Sequence, residues 1–196
     1  MAAVLDAARI LKASGIQPYC RVRFVFFSGE EQANLGSRAY IKQHGSELDN
    51  TRVFLTMDGG SQAPLGLQVN GREVVAAGVK WILPKLMPLG AANISMDAYL
   101  DSDNASFMTA GIPSLELGVE EGGYDIRHHS ISDTFDKINP HTLSVYTAVL
   151  AITAYELAEA RKPIARRLTR DEVKGFLRTT TKLDKAQEEQ FGPLEE

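Results

Sequence analysis

The sequence is poorest in thiols: among 196 residues there is one cysteine, Cys20. A lone thiol excludes an internal disulfide framework and a thiolate zinc cluster. Long apolar runs are missing too, since no stretch approaches the roughly 18 residues that read as a bilayer span. The opening MAAVLDAARILKASG has neither a basic leader nor a cleavage-site pattern. Positive charge is not in excess: 21 Lys and Arg stand against 25 Asp and Glu, a formal charge of -4, whereas a nucleic-acid-binding domain is expected to be basic. Neither nucleic acid nor a membrane is therefore expected as a partner. Internal repeats and low-complexity blocks are also absent. What remains, 44% hydrophobic and 23% charged residues, suits one globular core.

Along the chain, helix and strand signals alternate. Val4, Leu5, Ala8, Leu11 and Ala13 fall near helical spacing over residues 2–14, and Gly15 suits a C-cap. CRVRFVFFS (20–28) reads as a strand buried on both faces, LGSRAYIKQHG as a helix and TRVFLTMD as a second buried strand. PLGLQVNG reads as a short strand closed by Asn70 and Gly71, and EVVAAGVKWILPKLM as a helix that Pro84 ends or kinks. IPSLELG is a third buried strand, and PHTLSVYTAVLAITAYELAEARK a long helix with Pro140 in its first turn. From Pro163 onward charge rises, which predicts a tail over 163–196 with one helix, RDEVKGFLR, and a disordered acidic end. The expected fold is a three-layer α/β/α sandwich on a mixed, mostly parallel sheet, whose ligands gather at the carboxyl ends of strands.

Two adjacent carboxylates stand at such an end. Glu30 and Glu31 follow the stretch that closes at Ser28, Asp58 ends VFLTMD, and two histidines sit in YDIRHHSISDT. Like charges side by side repel and raise one another's pKa unless a cation is near or one group carries a proton. A divalent metal satisfies both conditions: carboxylate and imidazole are zinc donors, and an unligated carboxylate beside them can serve as a general base.

Four collinear motifs, FSGEEQANLGSRAYI, VFLTMDGG, DSDNASFMTAGIPSLEL and RHHSISDTFDKINPHTL, resemble the zinc exopeptidase family of bacterial leucyl aminopeptidase, aminopeptidase Y and plasma glutamate carboxypeptidase. The resemblance spans roughly residues 1–160. It implies a peptide-bond hydrolase in which Glu30 is the general base, Glu31 and His129 bind one zinc and Asp58 binds another. Spacing to Asp133 and Thr134 selects His129 rather than His128. The family uses two zinc ions, and its remaining ligands, a histidine and a bridging aspartate, precede the helix that opens this chain. The resemblance therefore implies that residues 1–162 are the carboxyl part of such a domain, lacking the family's N-terminal strands, with one zinc or none. It also implies a secreted or periplasmic parent protein and an open sheet edge at 21–28, suited to self-association or to pairing with an upstream segment.

Plainer roles stand beside these. Asp58 is also a turn former ahead of Gly59 and Gly60. His128 is either a substrate-side donor or a loop residue. Asp133 either orients His129 or holds its loop. Asp103 either belongs to the site or caps the following helix.

Overall fold

The strongest helical signal forms the longest helix, α7 (Pro140–Glu159), and local chemistry sets its start. The Asn139 side-chain oxygen accepts the backbone N–H of His141 at 2.9 Å and of Thr142 at 3.2 Å. Pro140 follows in the first turn, where a missing N–H loses no bond. The computed structural model describes residues 1–59, 62–120 and 124–180. At the other end of the chain, α1 (Ala2–Ala13) buries the small side chains of Ala3 and Ala7 and packs on α7.

Between these helices run β1 (Phe54–Thr56), β2 (Pro64–Gln68), β3 (Asn93–Ser95) and β4 (Ser114–Val119), in the spatial order β1-β4-β2-β3. β1 pairs with β4 and β2 with β3 in parallel, whereas β2 and β4 are antiparallel. The sheet is thus mixed and mostly parallel, as expected. The period of two along each strand separates its faces. Leu67, Leu115 and Leu117 point into one core with Val69, Tyr146 and Val149 of α7, and with α3 (Glu73–Val79) and α4 (Leu83–Leu86). Each such leucine, at most 1% exposed, contributes about 1.5–3 kcal/mol by burial. On the opposite face Phe54 stacks on Phe107 of α5 (Asn104–Thr109), with centroids 3.7 Å apart, beside Leu48, Ile112 and Tyr40 of α2 (Leu35–Gln43). Helices on both faces make the three layers.

One strand expectation fails. Residues 20–28 form no ladder, and among the described residues no backbone group of 21–27 bonds to another backbone group. Strand-forming side chains are not enough, because a ladder needs a neighbour whose N–H and C=O groups face it. Proline acts as expected at Pro84: the helical stretch breaks ahead of it, between α3 and α4. Asn70 and Gly71 both take positive φ, 50° and 73°, and turn the chain out of β2. β3 and the single turn α6 (Tyr124–Arg127) have no counterpart in the sequence reading, being too short to show a period.

After α7 the chain crosses back over the domain. Ala165 is 8% exposed, and the predicted last helix forms as α8 (Arg170–Thr180), with Val173 2% exposed. The acidic end expected at 181–196 lies outside the described residues.

Candidate active site

The loop that carries the two glutamates is tightly wound. Asn34 N–H donates to the Glu30 carbonyl at 2.8 Å and Leu35 N–H to the Gly29 carbonyl at 2.9 Å, so the chain folds back directly into α2. The turn forces Ala33 and Asn34 into the left-handed region, at φ 64° and 57°. Besides Asn70 beyond β2, the other non-glycine residue in this region among those described is His129, at φ 54°. Strain of this kind, of order 1–3 kcal/mol per residue, persists where surrounding contacts over-determine it, and it clusters at functional sites.

These strained segments meet. His129 Nε2 lies 2.8 Å from Glu31 Oε1, although 98 positions separate the two residues in the chain. Both side chains are 60% exposed, so the pair faces solvent. The His129 ring stacks on His128 at 3.8 Å, and His128 in turn stacks on Tyr124 at 4.7 Å. An imidazole, a second imidazole and a phenol form one continuous wall.

Glu30, next to Glu31 in the chain, is less exposed. Burial pushes its carboxyl above the usual range, helped by the charges of Asp58, Glu31, Asp103 and Asp101. Asp103 is raised as well, by burial and by Asp58, against a hydrogen bond from Ser37. It occupies the N-cap position of α5 but makes no side-chain capping bond, and its Oδ1 is buried without a hydrogen-bond partner. Asp58 is exposed, two residues beyond the end of β1. Its charge acts on Glu30, Asp103, Glu116 and Tyr124, which brings β1, β4, α6 and the 29–31 loop to one end of the sheet. Asp133 is exposed on the histidine loop. Its backbone N–H donates to the Ser130 carbonyl at 3.1 Å, and its carboxylate makes no bond to His129 among the described residues.

Three residues of this cluster escape a reading of the sequence. Asp101 opens the DSDNASFMTAG motif, but no local period sets it apart from Asp103. Tyr124 opens the single turn α6, and burial followed by four carboxylate charges raises its phenol. Glu116 did leave a signal, as a lone carboxylate inside the apolar strand SLELG. It stands opposite Thr56 of β1 and Gln68 of β2, and burial, then Asp58 and Asp101, push its carboxyl up to about 7.

Glu31 and His129 are an oxygen and a nitrogen donor of the kind zinc takes, and they are already in contact. Among the described residues, however, no group of three or more His, Cys, Asp or Glu side chains is close enough to hold a metal ion. The pair fits zinc in chemistry, and in number it falls short of the three protein ligands of a catalytic site. Among the described residues no helix is long and apolar enough to cross a membrane.

Known proteins resemble this chain in sequence and in fold. Carboxypeptidase Q of Rattus norvegicus is 29% identical over 161 residues, 82% of this chain and 34% of its own length. A probable leucine aminopeptidase of Arthroderma otae is 30% identical over 152 residues, 76% of this chain and 42% of its own. Among solved structures, a peptidase M28 precursor from Shewanella amazonensis superposes with a TM-score of 0.74 at 26% identity, covering 86% of this chain and 38% of that one. The chain thus spans well under half the length of these relatives. The model of peptidase family M28 matches residues 1–154, a stretch that contains Glu30, Glu31, Asp58 and His129, and the chain belongs to that family.

Proposed function

We propose that this chain carries the general base and part of the metal-ligand set of a zinc-dependent exopeptidase that hydrolyses peptide bonds. The observation that carries the reading is the 2.8 Å contact between Glu31 and His129, beside a carboxyl, Glu30, whose pKa is raised. Glu31 and His129 would hold one zinc ion, and Asp58 is the further carboxylate offered to metal from the end of β1. Bound zinc polarises a carbonyl and activates water. Glu30 takes the proton from the attacking water and hands it to the leaving amine; a raised pKa suits a group that must hold that proton between the two steps. Tyr124 and His128 line the same wall and are suited to bond the substrate's polar groups.

With two donors in contact and no three-donor group among the described residues, the chain is expected to bind one zinc weakly and to hydrolyse aminoacyl or dipeptide substrates poorly. Calorimetric titration with zinc tests this. One weak site that Glu31→Gln and His129→Ala each abolish, and that Glu30→Gln leaves in place, supports the assignment. Two tight sites, or robust hydrolysis removed by Glu30→Gln, would mean that further ligands come from His128 or a second subunit.

A second reading is favoured by one observation, the unpaired 21–27 segment. In it the chain binds peptides or a partner without chemistry, and the segment takes a strand from an upstream stretch of peptidase polypeptide or from another copy. Zinc stoichiometry separates the two, since the second predicts no binding at the Glu31 and His129 pair.

A further inference from the structure

The chain after α7 lies outside the residues that the family model matches, yet it is fitted to the domain through main-chain contacts. Leu168 N–H donates to the Gly111 carbonyl at 2.8 Å. Arg72, 7% exposed, donates to the Gly111 carbonyl at 3.4 Å and to the Arg166 carbonyl at 2.9 Å. Arg167 reaches the Ala110 carbonyl at 2.8 Å and Asp49 at 2.7 Å. Two glycines admit the crossing strap: a Cβ on Gly111 would stand 2.4 Å from the Leu168 carbonyl oxygen, and one on Gly78 would stand 2.5 Å from that of Ile164. Burial, then the Arg166 charge, depresses the Arg72 guanidinium. A cation is kept there against its own desolvation because its bonds hold this crossing.

The crossing delivers α8 to the loop at 96–103. Phe176 and Leu177 pack on Leu100, Ala105 and Met108. Leu100 and Ser102 are 3% and 5% exposed, while Met96 and Tyr99 on the same loop are 43% and 53% exposed, so Leu100 is the large apolar side chain that anchors the loop. Asp101 follows it directly, and Asp103 follows two residues later. Both act on Glu30, and Asp101 also acts on Glu116 and Tyr124.

We propose that α8 is a positioning element for the candidate active site: Phe176 and Leu177 hold Leu100, and through it keep the carboxylates of Asp101 and Asp103 facing Glu30. Its catalytic meaning rests on the peptidase reading; its geometry does not. A loop takes its conformation in part from whatever covers its apolar anchor, and here the cover is α8 together with Ala105 and Met108 of α5.

The test uses the full chain with Phe176→Ala and Leu177→Ala combined, read by amide hydrogen exchange and by two-dimensional NMR. Amides of 96–103 should exchange about tenfold faster or more, with α1 and β4 unchanged. Resonances of 101–103 and of 29–31 should move as well. Phe176→Leu, which keeps the apolar cover, should restore both. Leu100→Ala removes the same contact from the loop side and should give the same signature if the double variant fails to fold. Unchanged exchange over 96–103, acceleration spread evenly over α1 and β4, or shifts confined to residues touching Phe176 and Leu177 would each overturn the proposal. Zinc and hydrolysis do not enter these readouts, so failure of the peptidase reading remains a separate result.

Discussion

β4 and the 21–27 segment invite comparison because the less promising sequence makes the better strand. RVRFVFF is rich in aromatic and β-branched residues, whereas SLELGV contains a glycine and a buried carboxylate. Yet β4 is paired on both sides, with β1 and β2, and buries Leu115 and Leu117 almost completely. The other segment is held at its ends by the Cys20 N–H to Ala158 carbonyl bond, at 2.8 Å, and the Gly36 N–H to Ser28 carbonyl bond, at 3.0 Å. In between, side chains hold it: Arg23 reaches Tyr40 at 2.6 Å and Glu47 at 2.9 Å, and Phe27 packs with Tyr40, Phe54 and Phe107. Strand propensity measures how well a side chain fits a pleated, half-buried surface. It does not supply the neighbouring backbone that closes a ladder.

Hydrogen exchange should break or confirm that contrast most sharply. Core strands open at several kcal/mol and unpaired backbone at close to zero, so the Leu115 and Leu117 amides should exchange about a thousandfold more slowly than those of Val22, Phe24 and Phe26. Equal protection would reveal a ladder at 21–27. Mutation sharpens the contrast at the side-chain level. Leu117→Ala should lower unfolding stability by about 3 kcal/mol in a urea titration, as for other buried leucines. Phe26→Thr, at a site 46% exposed, should stay within about 0.5 kcal/mol. A loss at Phe26 as large as that at Leu117 would mean the segment is covered in solution.

The third effect is smaller and depends on pH. The folded pKa of Glu116, about 7, lies above that of the unfolded chain, so the native state binds more protons between roughly pH 4.5 and 7. The stability this contributes is full below pH 4.5 and is lost as pH rises through 7. At about 1.4 kcal/mol per pH unit between the two pKa values, reduced for solvent screening, the loss is about 2 kcal/mol. Glu116→Gln should flatten the fall in stability between pH 5 and 8. The raised carboxyls of Glu30 and Asp103 leave a residual slope of the same sign. An unchanged slope in the variant would show that Glu116 titrates as an ordinary exposed carboxyl.

Much of the fold was legible in the sequence where the signal was local. The Asn139 and Pro140 start of α7, the break at Pro84, the Asn70 and Gly71 turn and the alternation of Leu115 and Leu117 each follow from one residue's own stereochemistry or from a short period. The candidate site was legible in the order of its motifs, through Glu30, Glu31, Asp58 and His129, but their spatial relations were not. Asp101 and Tyr124 open the stretches DSDNASFM and YDIRHHSISDT, yet no local pattern assigns either residue to the cluster. Glu116 carried only the oddity of a carboxylate in an apolar strand.

The sequence by itself determined where the longer helices α1, α7 and α8 lie and which residues offer zinc-type donors, because each of these follows from bonds and sterics within a few residues. Only the tertiary structure decided that 21–27 goes without a ladder, that His129 meets Glu31 across 98 positions, and that α8 returns to cover Leu100. Those are properties of contact between distant parts of the chain, where backbone partners, burial and the summed field of several carboxylates set the outcome and no local pattern encodes it.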